Sequence, residues 1–279
     1  MKLINVAKNA GFCFGVKMAV DKALDESAKG DNVVMLGDIV HNEHVVKKID
    51  EAGVDVQNEL TPDTKGTLLL RAHGTVPGIY DRARELNLNI VDATCPLVLE
   101  IHEIVRNMAE EGYTVIVIGD YGHDEVVAIA AQVDGMVIAK PEDVDEKIPM
   151  RLKKVGIVVQ STQNIDNARA IVSRLIGKVG ELKFVDTICG PTKKYQAEIR
   201  TMPLENDVMI IVGSYTSANT CRLTEISRGM NPDSYQVEDP DDVRQEWFDG
   251  KRTVGVTAGA STPDWIIHEV VDRIAEYAR

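Results

Sequence analysis

Aromatic residues are scarce in this chain of 279 residues, at 5% of the composition. A buried core must therefore consist mainly of valine, isoleucine, leucine and alanine, within a hydrophobic content of 44% that is ordinary for a globular protein. Basic residues are also in the minority. The chain has 31 lysines and arginines against 44 aspartates and glutamates, which gives a formal net charge of −13. This deficit argues against nucleic acid as a partner, because binding it requires basic side chains that neutralise phosphates.

Long hydrophobic runs are absent as well. No stretch approaches the roughly 20 apolar residues of a membrane-spanning helix, and the start of the chain lacks the hydrophobic region and cleavage site of a secretory signal. We therefore expect a cytoplasmic protein that is not embedded in a membrane. Only four cysteines occur, and in a reducing compartment they are better interpreted as metal ligands or reactive thiols than as disulfides.

Short β-branched apolar runs alternate with longer amphipathic stretches along the whole chain. The run from Val155 to Val159, for example, is continuously apolar and precedes a helical pattern from about Asp166 to Ile176. Continuous hydrophobicity is typical of parallel strands that are covered on both faces, and alternation with helices indicates βαβ units with right-handed crossovers. The sequence therefore predicts an α/β fold with small parallel sheets.

Three cysteines lie at the same distance in sequence from the apolar runs that follow them. Cys13, Cys95 and Cys189 each lie 24 residues before a glycine that ends such a run. Polar residues follow these glycines at equal spacing, namely His41, His123 and Ser217, and two residues further on Glu43, Glu125 and Asn219. His73, Ser161 and Ser261 end a second set of runs. We predict three pseudo-threefold-related α/β units, covering residues 1–95, 96–188 and 189–279.

A threefold repeat can direct three thiolates and a ring of polar groups at one point. Cubane iron–sulfur clusters are usually held by four cysteine thiolates. Three cysteines in phase therefore predict a cluster with one iron that the protein does not bind and that can act as a Lewis acid. A structural zinc site is the main alternative, although short Cys-x-x-Cys pairs are absent. Cys221 has no counterpart in the repeat and is interpreted as a small buried or helical residue.

The polar residues at the ends of these runs have the chemistry of an anion site. Imidazole, hydroxyl and amide donors, with the N-termini of the following helices, suit a phosphate or diphosphate. Glu125 would have a raised pKa in a closed pocket and could donate protons, and a solvated glutamate at a helix start is the alternative interpretation. The remaining histidines, His44, His102 and His268, fall on helical stretches and are expected at the surface.

Seven short segments carry a family resemblance that extends over essentially the whole chain. They are Ala10-Gly11-Phe12-Cys13-Phe14-Gly15-Val16, Val40-His41-Asn42, Arg71-Ala72-His73-Gly74, Asp92-Ala93-Thr94-Cys95-Pro96-Leu97-Val98, Val212-Gly213-Ser214, Ser217-Ala218-Asn219 and Val256-Thr257-Ala258-Gly259-Ala260-Ser261. Together they resemble the 4-hydroxy-3-methylbut-2-enyl diphosphate reductases, the LytB family. The resemblance implies reduction of an allylic alcohol diphosphate to isopentenyl and dimethylallyl diphosphates, the last step of the methylerythritol phosphate route to isoprenoids.

The same resemblance implies a trefoil of three α/β domains around a central [4Fe–4S] cluster. Cys13, Cys95 and Cys189 would hold this cluster and leave one iron open. The substrate would be bound by His41, His73, His123, Ser161, Thr162, Ser217, Asn219 and Ser261. Glu125 would relay protons with the help of a hydroxyl of Ser161 or Thr162. Electrons would come from a ferredoxin or a flavodoxin.

The chain departs from the family pattern in several places. The chain has Asp124 where the family usually has proline before the glutamate, Met18 where it has arginine, and Lys193-Lys194-Tyr195 where an arginine usually precedes Gln196. A milder change is Ser161, which stands where the family usually has threonine and keeps the hydroxyl. Two alternatives therefore stay open. One is a related cluster enzyme that reduces or dehydrates another substrate. The other is a cluster-bearing sensor or electron carrier without catalytic activity, which would need neither Glu125 nor the anion-binding residues.

Overall fold

The computed structural model describes residues 3–30, 32–148 and 150–277. Its strands are β1 (Leu3–Val6), β2 (Val33–Leu36), β3 (Val54–Gln57), β4 (Thr67–Leu70), β5 (Asn89–Asp92), β6 (Thr114–Ile118), β7 (Met136–Ile138), β8 (Leu152–Val159), β9 (Val179–Phe184), β10 (Val208–Val212), β11 (Ser234–Val237) and β12 (Thr253–Ala258). Its helices are α1 (Phe14–Ser27), α2 (Glu43–Glu51), α3 (Pro77–Glu85), α4 (Pro96–Glu110), α5 (Asp124–Ala130), α6 (Asp143–Lys147), α7 (Ile165–Leu175), α8 (Gly190–Ile199), α9 (Met202–Glu205), α10 (Ala218–Arg228) and α11 (Asp264–Tyr277). Short 3-10 helices cover Ile176–Lys178, Pro240–Asp242 and Gln245–Phe248.

These strands form three sheets of four strands each, with the orders β3-β2-β4-β5, β7-β6-β8-β9 and β11-β10-β12-β1. Every strand pair is parallel. The prediction of an α/β fold with small parallel sheets is confirmed. All three sheets have the same topology. The first strand of each sheet (β2, β6 or β10) has the second strand (β3, β7 or β11) on one side. The third strand (β4, β8 or β12) lies on its other side, followed by the fourth. In the last sheet the fourth place belongs to β1, the first strand of the chain.

Both faces of the sheet β7-β6-β8-β9 are covered, as its continuously apolar strands predict. Ile116, Ile118 and Ile157 pack with α7 on one face, and Val115 and Val158 pack on the other face with α4 and α5. Alternate residues of a strand point to opposite faces, so both must be apolar when helices cover both sides.

Gly156, in the middle of β8, allows α4 to approach the sheet closely. A Cβ added at this position would lie 2.7 Å from Sδ of Met108. We expect Gly156→Ala to lower the free energy of unfolding by about 1–3 kcal/mol because the buried methionine must move. Urea unfolding followed by circular dichroism measures this. Gly177→Ala is the control, since no atom lies within 4 Å of its added Cβ. Equal effects of the two variants would contradict the prediction.

The chain divides into two compact units. One contains the described residues of Met1–Lys17, Val40–Lys48 and Gly190–Arg279 and holds the sheet β11-β10-β12-β1. The other contains those of Met18–Ile39 and Ile49–Cys189 and holds the remaining two sheets. The three units of residues 1–95, 96–188 and 189–279, and their trefoil arrangement, stay predictions. Within the part of the chain that the structure describes, no helix combines the length and apolar character needed to cross a bilayer.

Candidate active site

All three sheets end in the same way at the carboxyl edge of their first strand. Gly37, Gly119 and Gly213 directly follow β2, β6 and β10. Their N–H groups donate to the last carbonyls of the neighbouring strands, at Gln57, Ile138 and Val237, over 2.9, 3.1 and 2.8 Å. The glycine at the end of each apolar run therefore closes the strand and starts the loop that carries the polar residues. Ligands of open parallel sheets bind at this edge.

The three repeated cysteines are held by equivalent backbone hydrogen bonds. Cys13, Cys95 and Cys189 directly precede α1, α4 and α8. The N–H groups of these cysteines donate to the carbonyls of Ala260, Ala72 and Ser161, at 3.1, 3.0 and 3.0 Å. Each acceptor lies two residues beyond the end of its strand, β12, β4 or β8. The three copies therefore have the same register. In this register Thr162 is the counterpart of His73 and Ser261. Counting residues along the sequence had assigned this position to Ser161, and that assignment is wrong.

The cysteine environments suit thiolate ligands. All four cysteines are free thiols and partly exposed. Burial raises the pKa of the Cys13 thiol, while the backbone N–H groups of Val16 and Gly15 act to lower it. A helix N-terminus stabilises a thiolate, and each repeated cysteine stands at one. This donor set fits an iron–sulfur cluster, which thiolates bind and which N–H groups near the sulfur stabilise.

Cys221 differs from the other three cysteines. It lies inside α10, and its thiol donates to the carbonyl oxygen of Tyr215 at 3.1 Å. Burial raises the pKa of this thiol. The interpretation of Cys221 as a helical residue is confirmed.

Polar side chains cap the helices that follow the strand-ending glycines. His123 Nδ1 accepts the N–H of Glu125 at 3.2 Å, and Ser217 Oγ accepts the N–H of Thr220 at 3.4 Å. Because His123 accepts at Nδ1, its neutral form carries the proton on Nε2 and can donate it to an anion. Asn42 caps α2 through a bond from the N–H of Val45 at 3.2 Å.

The first copy contains one extra residue between the glycine and the helix. Asn42, not His41, therefore takes the capping place that His123 holds in the second copy. Glu43 then corresponds to Asp124, the first residue of α5, and not to Glu125 as equal spacing suggested.

One unit brings together several of the predicted anion-binding residues. Ser261 Oγ lies 3.1 Å from the carbonyl oxygen of His41 and 3.4 Å from Ser217 Oγ. Asn219 follows in the first turn of α10, where its side-chain amide is buried. Neither Nδ2 nor Oδ1 of Asn219 has a hydrogen-bond partner among the described residues. Buried amides are normally bonded, so this side chain is suited to a polar ligand.

The other unit brings two further histidines together. The rings of His73 and His123 meet edge to face, with centroids 5.6 Å apart. Beside them, Arg71 Nη2 donates to Asp124 Oδ1 at 2.7 Å. This ion pair joins the loop after β4 to the start of α5. Asp124 is one of the departures from the family pattern, and residue counting gave no sign of its partner.

We expect Asp124→Asn to lower the free energy of unfolding by about 1 kcal/mol, because it weakens a charge-assisted hydrogen bond between two partly buried groups. The side chains of Arg71 and Asp124 are 22% and 29% exposed. Asp81→Asn is the matched control, since its pair with Arg84 has the same length but is 70% and 67% exposed. Urea unfolding of both variants checks this. A loss in the control as large as that in Asp124→Asn would contradict it.

Glu125 is buried and fixed by a single neighbouring residue. Its Oε1 accepts the backbone N–H of Ser161 at 2.6 Å, and its Oε2 accepts the hydroxyl of Ser161 at 2.7 Å. Burial raises the pKa of the Glu125 carboxyl, the two bonds from Ser161 partly oppose this, and the charge of Asp120 adds to it. The interpretation of Glu125 as a solvated helix-start residue is wrong, because only 2% of it is exposed.

Thr162 and Gln160 complete the loop after β8. Thr162 Oγ1 accepts from Gln160 Nε2 at 3.0 Å, and Gln160 Oε1 accepts the N–H of Asp120 at 2.8 Å. Ser161, and not Thr162, is therefore the hydroxyl bonded to Glu125. Gln160 was missed in the sequence, although it directly follows the apolar run.

The expected surface location is wrong for His102, which is buried. Burial, followed by the nearby Arg106, lowers the pKa of His102 to about 4, so its ring is neutral. The ring packs against Gly74, where an added Cβ would lie 2.9 Å from His102 Cε1. His44 is partly exposed and lies 3.0 Å from Asp239, and His268 is exposed.

Comparison with known proteins gives consistent matches over the whole chain. The family model described as LytB protein matches residues 4–275. A 4-hydroxy-3-methylbut-2-enyl diphosphate reductase of Geobacter metallireducens is 41% identical over 274 residues, covering 98% of this chain and 97% of that protein. The protein of the same name from Trichlorobacter lovleyi is 40% identical over 275 residues, covering 98% of both.

Two solved structures are similar as well. One, of (E)-4-hydroxy-3-methyl-but-2-enyl diphosphate reductase, the terminal enzyme of the non-mevalonate pathway, has a TM-score of 0.70 at 39% identity and covers 99% of this chain and 100% of that one. The other, the E-1-hydroxy-2-methyl-but-2-enyl-4-diphosphate reductase from Plasmodium falciparum, has a TM-score of 0.90 at 29% identity, covering 97% of this chain and 87% of that one.

Proposed function

The chain belongs to the LytB family, and on that premise we propose that it is a 4-hydroxy-3-methylbut-2-enyl diphosphate reductase. The reaction replaces the allylic C–O bond by a C–H bond. It consumes two electrons and two protons and releases one water, giving isopentenyl and dimethylallyl diphosphates. The observation that carries the proposal is the buried Glu125 bonded twice by Ser161. A reduction that expels hydroxide needs a protonated acid, whereas an electron carrier or a sensor needs none.

We assign Cys13, Cys95 and Cys189 as the ligands of a [4Fe–4S] cluster with one iron not bound by the protein. When bound, the cluster supplies electrons one at a time and a Lewis-acidic iron. Their equivalent places at three helix N-termini support the assignment. We propose a ferredoxin or flavodoxin as the electron donor and the cytoplasm as the location.

The substrate is a small-molecule diphosphate, and the polar residues at the strand ends are its candidate donors. In one unit these are His41, Ser217, Asn219 and Ser261, and in the other His73, His123, Ser161 and Thr162. Neutral donors and helix N-termini bind phosphate oxygens. The unsatisfied amide of Asn219 and the Nε2–H of His123 support this role. A diphosphate held in this way fixes the orientation of the allylic end.

Glu125 is the proposed proton donor, with Ser161 holding its carboxyl in place. As an acid with a raised pKa, it must be protonated to act. Activity is therefore retained below this pKa and lost as the pH rises through it. The stability that the buried protonated carboxyl contributes is likewise complete below its ordinary pKa and lost as the pH rises through the raised value.

We expect Ser161→Ala to move the alkaline limb of the pH profile of kcat/KM to higher pH. The hydroxyl of Ser161 lowers the pKa of Glu125, so its removal raises this pKa further, while the backbone N–H bond remains. Thr162→Val is the control and should leave the limb in place, because Thr162 Oγ1 bonds to Gln160 and not to Glu125. A limb that moved to lower pH in Ser161→Ala would refute the assignment of Glu125.

An anaerobic turnover assay on cluster-reconstituted protein tests the function. The substrate is 4-hydroxy-3-methylbut-2-enyl diphosphate, a reduced viologen dye supplies electrons, and mass spectrometry identifies the five-carbon products. Dye oxidation that depends on the substrate and yields both products is expected. An intact cluster without turnover would reject the proposed substrate and would favour a related reductase whose specificity has changed around Asp124.

A further inference from the structure

The segment that carries Cys13 is the longest of the three links between a strand and its cysteine. Residues 7–12 separate β1 from Cys13, whereas residues 93–94 separate β5 from Cys95 and residues 185–188 separate β9 from Cys189. A longer link has more conformational freedom to lose when its cysteine is fixed in place. The position of Cys13 therefore depends most on contacts from outside the link.

Each of the two shorter links is fastened by an aspartate that lies within it or directly before it. Asp92 Oδ1 accepts the N–H of Thr94 at 2.8 Å, and Asp186 Oδ1 accepts the N–H of Ile188 at 3.2 Å. Thr94 and Ile188 directly precede Cys95 and Cys189. An aspartate that bonds the backbone two residues on is a stable local turn. The link of residues 7–12 reads Ala-Lys-Asn-Ala-Gly-Phe and contains no acidic residue.

Glu198 of α8 supplies the missing carboxylate to this link. Its Oε1 accepts the N–H of Lys8 at 2.7 Å. Its Oε2 accepts both the N–H and the side-chain Nδ2 of Asn9, each at 3.0 Å. Three donors on one carboxylate make strong, charge-assisted bonds. Partial burial acts to raise the pKa of Glu198, but these donors and the charge of Lys8 bring it below its ordinary value, so the side chain is ionised at neutral pH.

Tyr195, one turn earlier in α8, holds the other end of the link. Its buried hydroxyl donates to the carbonyl oxygen of Gly11 at 3.0 Å. Gly11 has a positive φ of 87°, and a Cβ added there would lie 2.7 Å from Asp264 Oδ1, so the backbone is closely packed at this point. Two residues later, the N–H of Cys13 is bonded to Ala260. Tyr195 is also one of the residues in which the chain departs from the family pattern.

We propose that Tyr195 and Glu198 are positioning residues for Cys13. Helix α8, which begins directly after Cys189, thereby also fixes the position of Cys13. The inference rests on the proposed function only in taking Cys13 as a cluster ligand. The bonds that carry the inference run from both side chains to the backbone of residues 8–11. Supporting residues of this kind commonly decide how firmly a metal centre is held.

The test uses the full chain with Glu198→Gln, Tyr195→Phe and the control Asp207→Asn. Asp207 also accepts two neighbouring backbone N–H groups in the same unit, those of Arg252 and Thr253, but at the opposite, amino end of the strands. In cluster-free protein, each cysteine is alkylated anaerobically with iodoacetamide and quantified by mass spectrometry. In reconstituted protein, the rate of cluster loss in air is followed by absorbance.

In Glu198→Gln we expect the alkylation rate of Cys13, divided by that of Cys95, to rise about tenfold. A tenfold change corresponds to the free energy lost when one charge-assisted hydrogen bond is removed. Tyr195→Phe should raise the same ratio by less, and Asp207→Asn should leave it unchanged. Cluster loss should be faster only in the first two variants. If Glu198→Gln does not fold, Tyr195→Phe decides alone.

An unchanged ratio in both variants, or an equal rise in Asp207→Asn, would overturn the proposal. If wild-type protein takes up no cluster, the assigned function fails, but the alkylation ratio still decides whether α8 positions Cys13.

Discussion

Replacing Glu125 by glutamine should abolish turnover while the fold and the cluster are retained. Glutamine has nearly the same shape and can still accept the backbone N–H of Ser161. It has no acidic proton, however, and proton transfer from a positioned acid contributes a factor of about 100 or more. We expect kcat to fall by at least about 100-fold, because the positioned carboxylic acid is lost. The anaerobic dye assay measures this.

The matched control for this prediction is Glu43→Gln. Glu43 also lies in the first turn of a helix and also accepts a serine hydroxyl, that of Ser214 at 3.0 Å. Equal spacing in the sequence makes Glu43 the counterpart of Glu125 in the repeat. In the structure its counterpart is Asp124, because both are the first residue of their helix. A small effect in Glu43→Gln beside a large one in Glu125→Gln would assign the proton to Glu125. Comparable losses, or an active Glu125→Gln enzyme, would remove Glu125 from the proposed mechanism.

The second large effect concerns the cysteines. Cys95→Ser should lose the cluster, and with it both the brown colour and all reductase activity. A serine hydroxyl is a poor iron ligand beside a thiolate, and Cys95 stands at a helix N-terminus where a thiolate is favoured. Iron and sulfide analysis, with electron paramagnetic resonance of the reduced protein, measures the loss.

Cys221→Ser is the control for the cysteine prediction. The Cys221 thiol donates to a carbonyl, a bond that a serine hydroxyl can also make. This variant should keep its cluster and most of its activity. If Cys221→Ser lost the cluster and Cys95→Ser kept it, the assignment of the three repeated cysteines as ligands would be wrong.

Much of this architecture could be predicted from short-range patterns. The continuously apolar runs identified parallel strands, and the glycines after them marked the strand ends, because both signals lie within a few residues of each other. The common phase of Cys13, Cys95 and Cys189 also reflects a real equivalence, shown by their three matching backbone bonds. Equal counting failed in two places, before α2, where the loop has one extra residue, and after β8, where Thr162 rather than Ser161 is the counterpart of His73 and Ser261.

His102 illustrates a signal that was present but not used. Val98, Ile101 and Val105 recur at helical spacing in α4 and are buried. His102 follows Val98 by four residues and therefore falls on the same face. Its identity as a histidine suggested the surface, but its position in the helix decided its burial.

Other contacts had no local signal at all. The bond between Arg71 and Asp124 and the bonds from Glu198 to residues 8 and 9 join parts of the chain far apart in sequence. A single sequence carries no information on such pairs, because any of its many acidic and basic residues could have been partners. Such pairs are defined by the three-dimensional fold alone.

The pairing of β1 with β12 sets an order of events during synthesis. A ribosome produces β1 long before β12, and β12 is the neighbour of β1 among the described strands, so this pair cannot form until β12 has emerged. The strands before Cys95 and Cys189 are β5 and β9, and these pair with β4 and β8, which are made shortly before them. Closing so long a loop is slow. The strand before Cys13, the first of the three cysteines to be made, therefore waits longest for its partner strand to be synthesised.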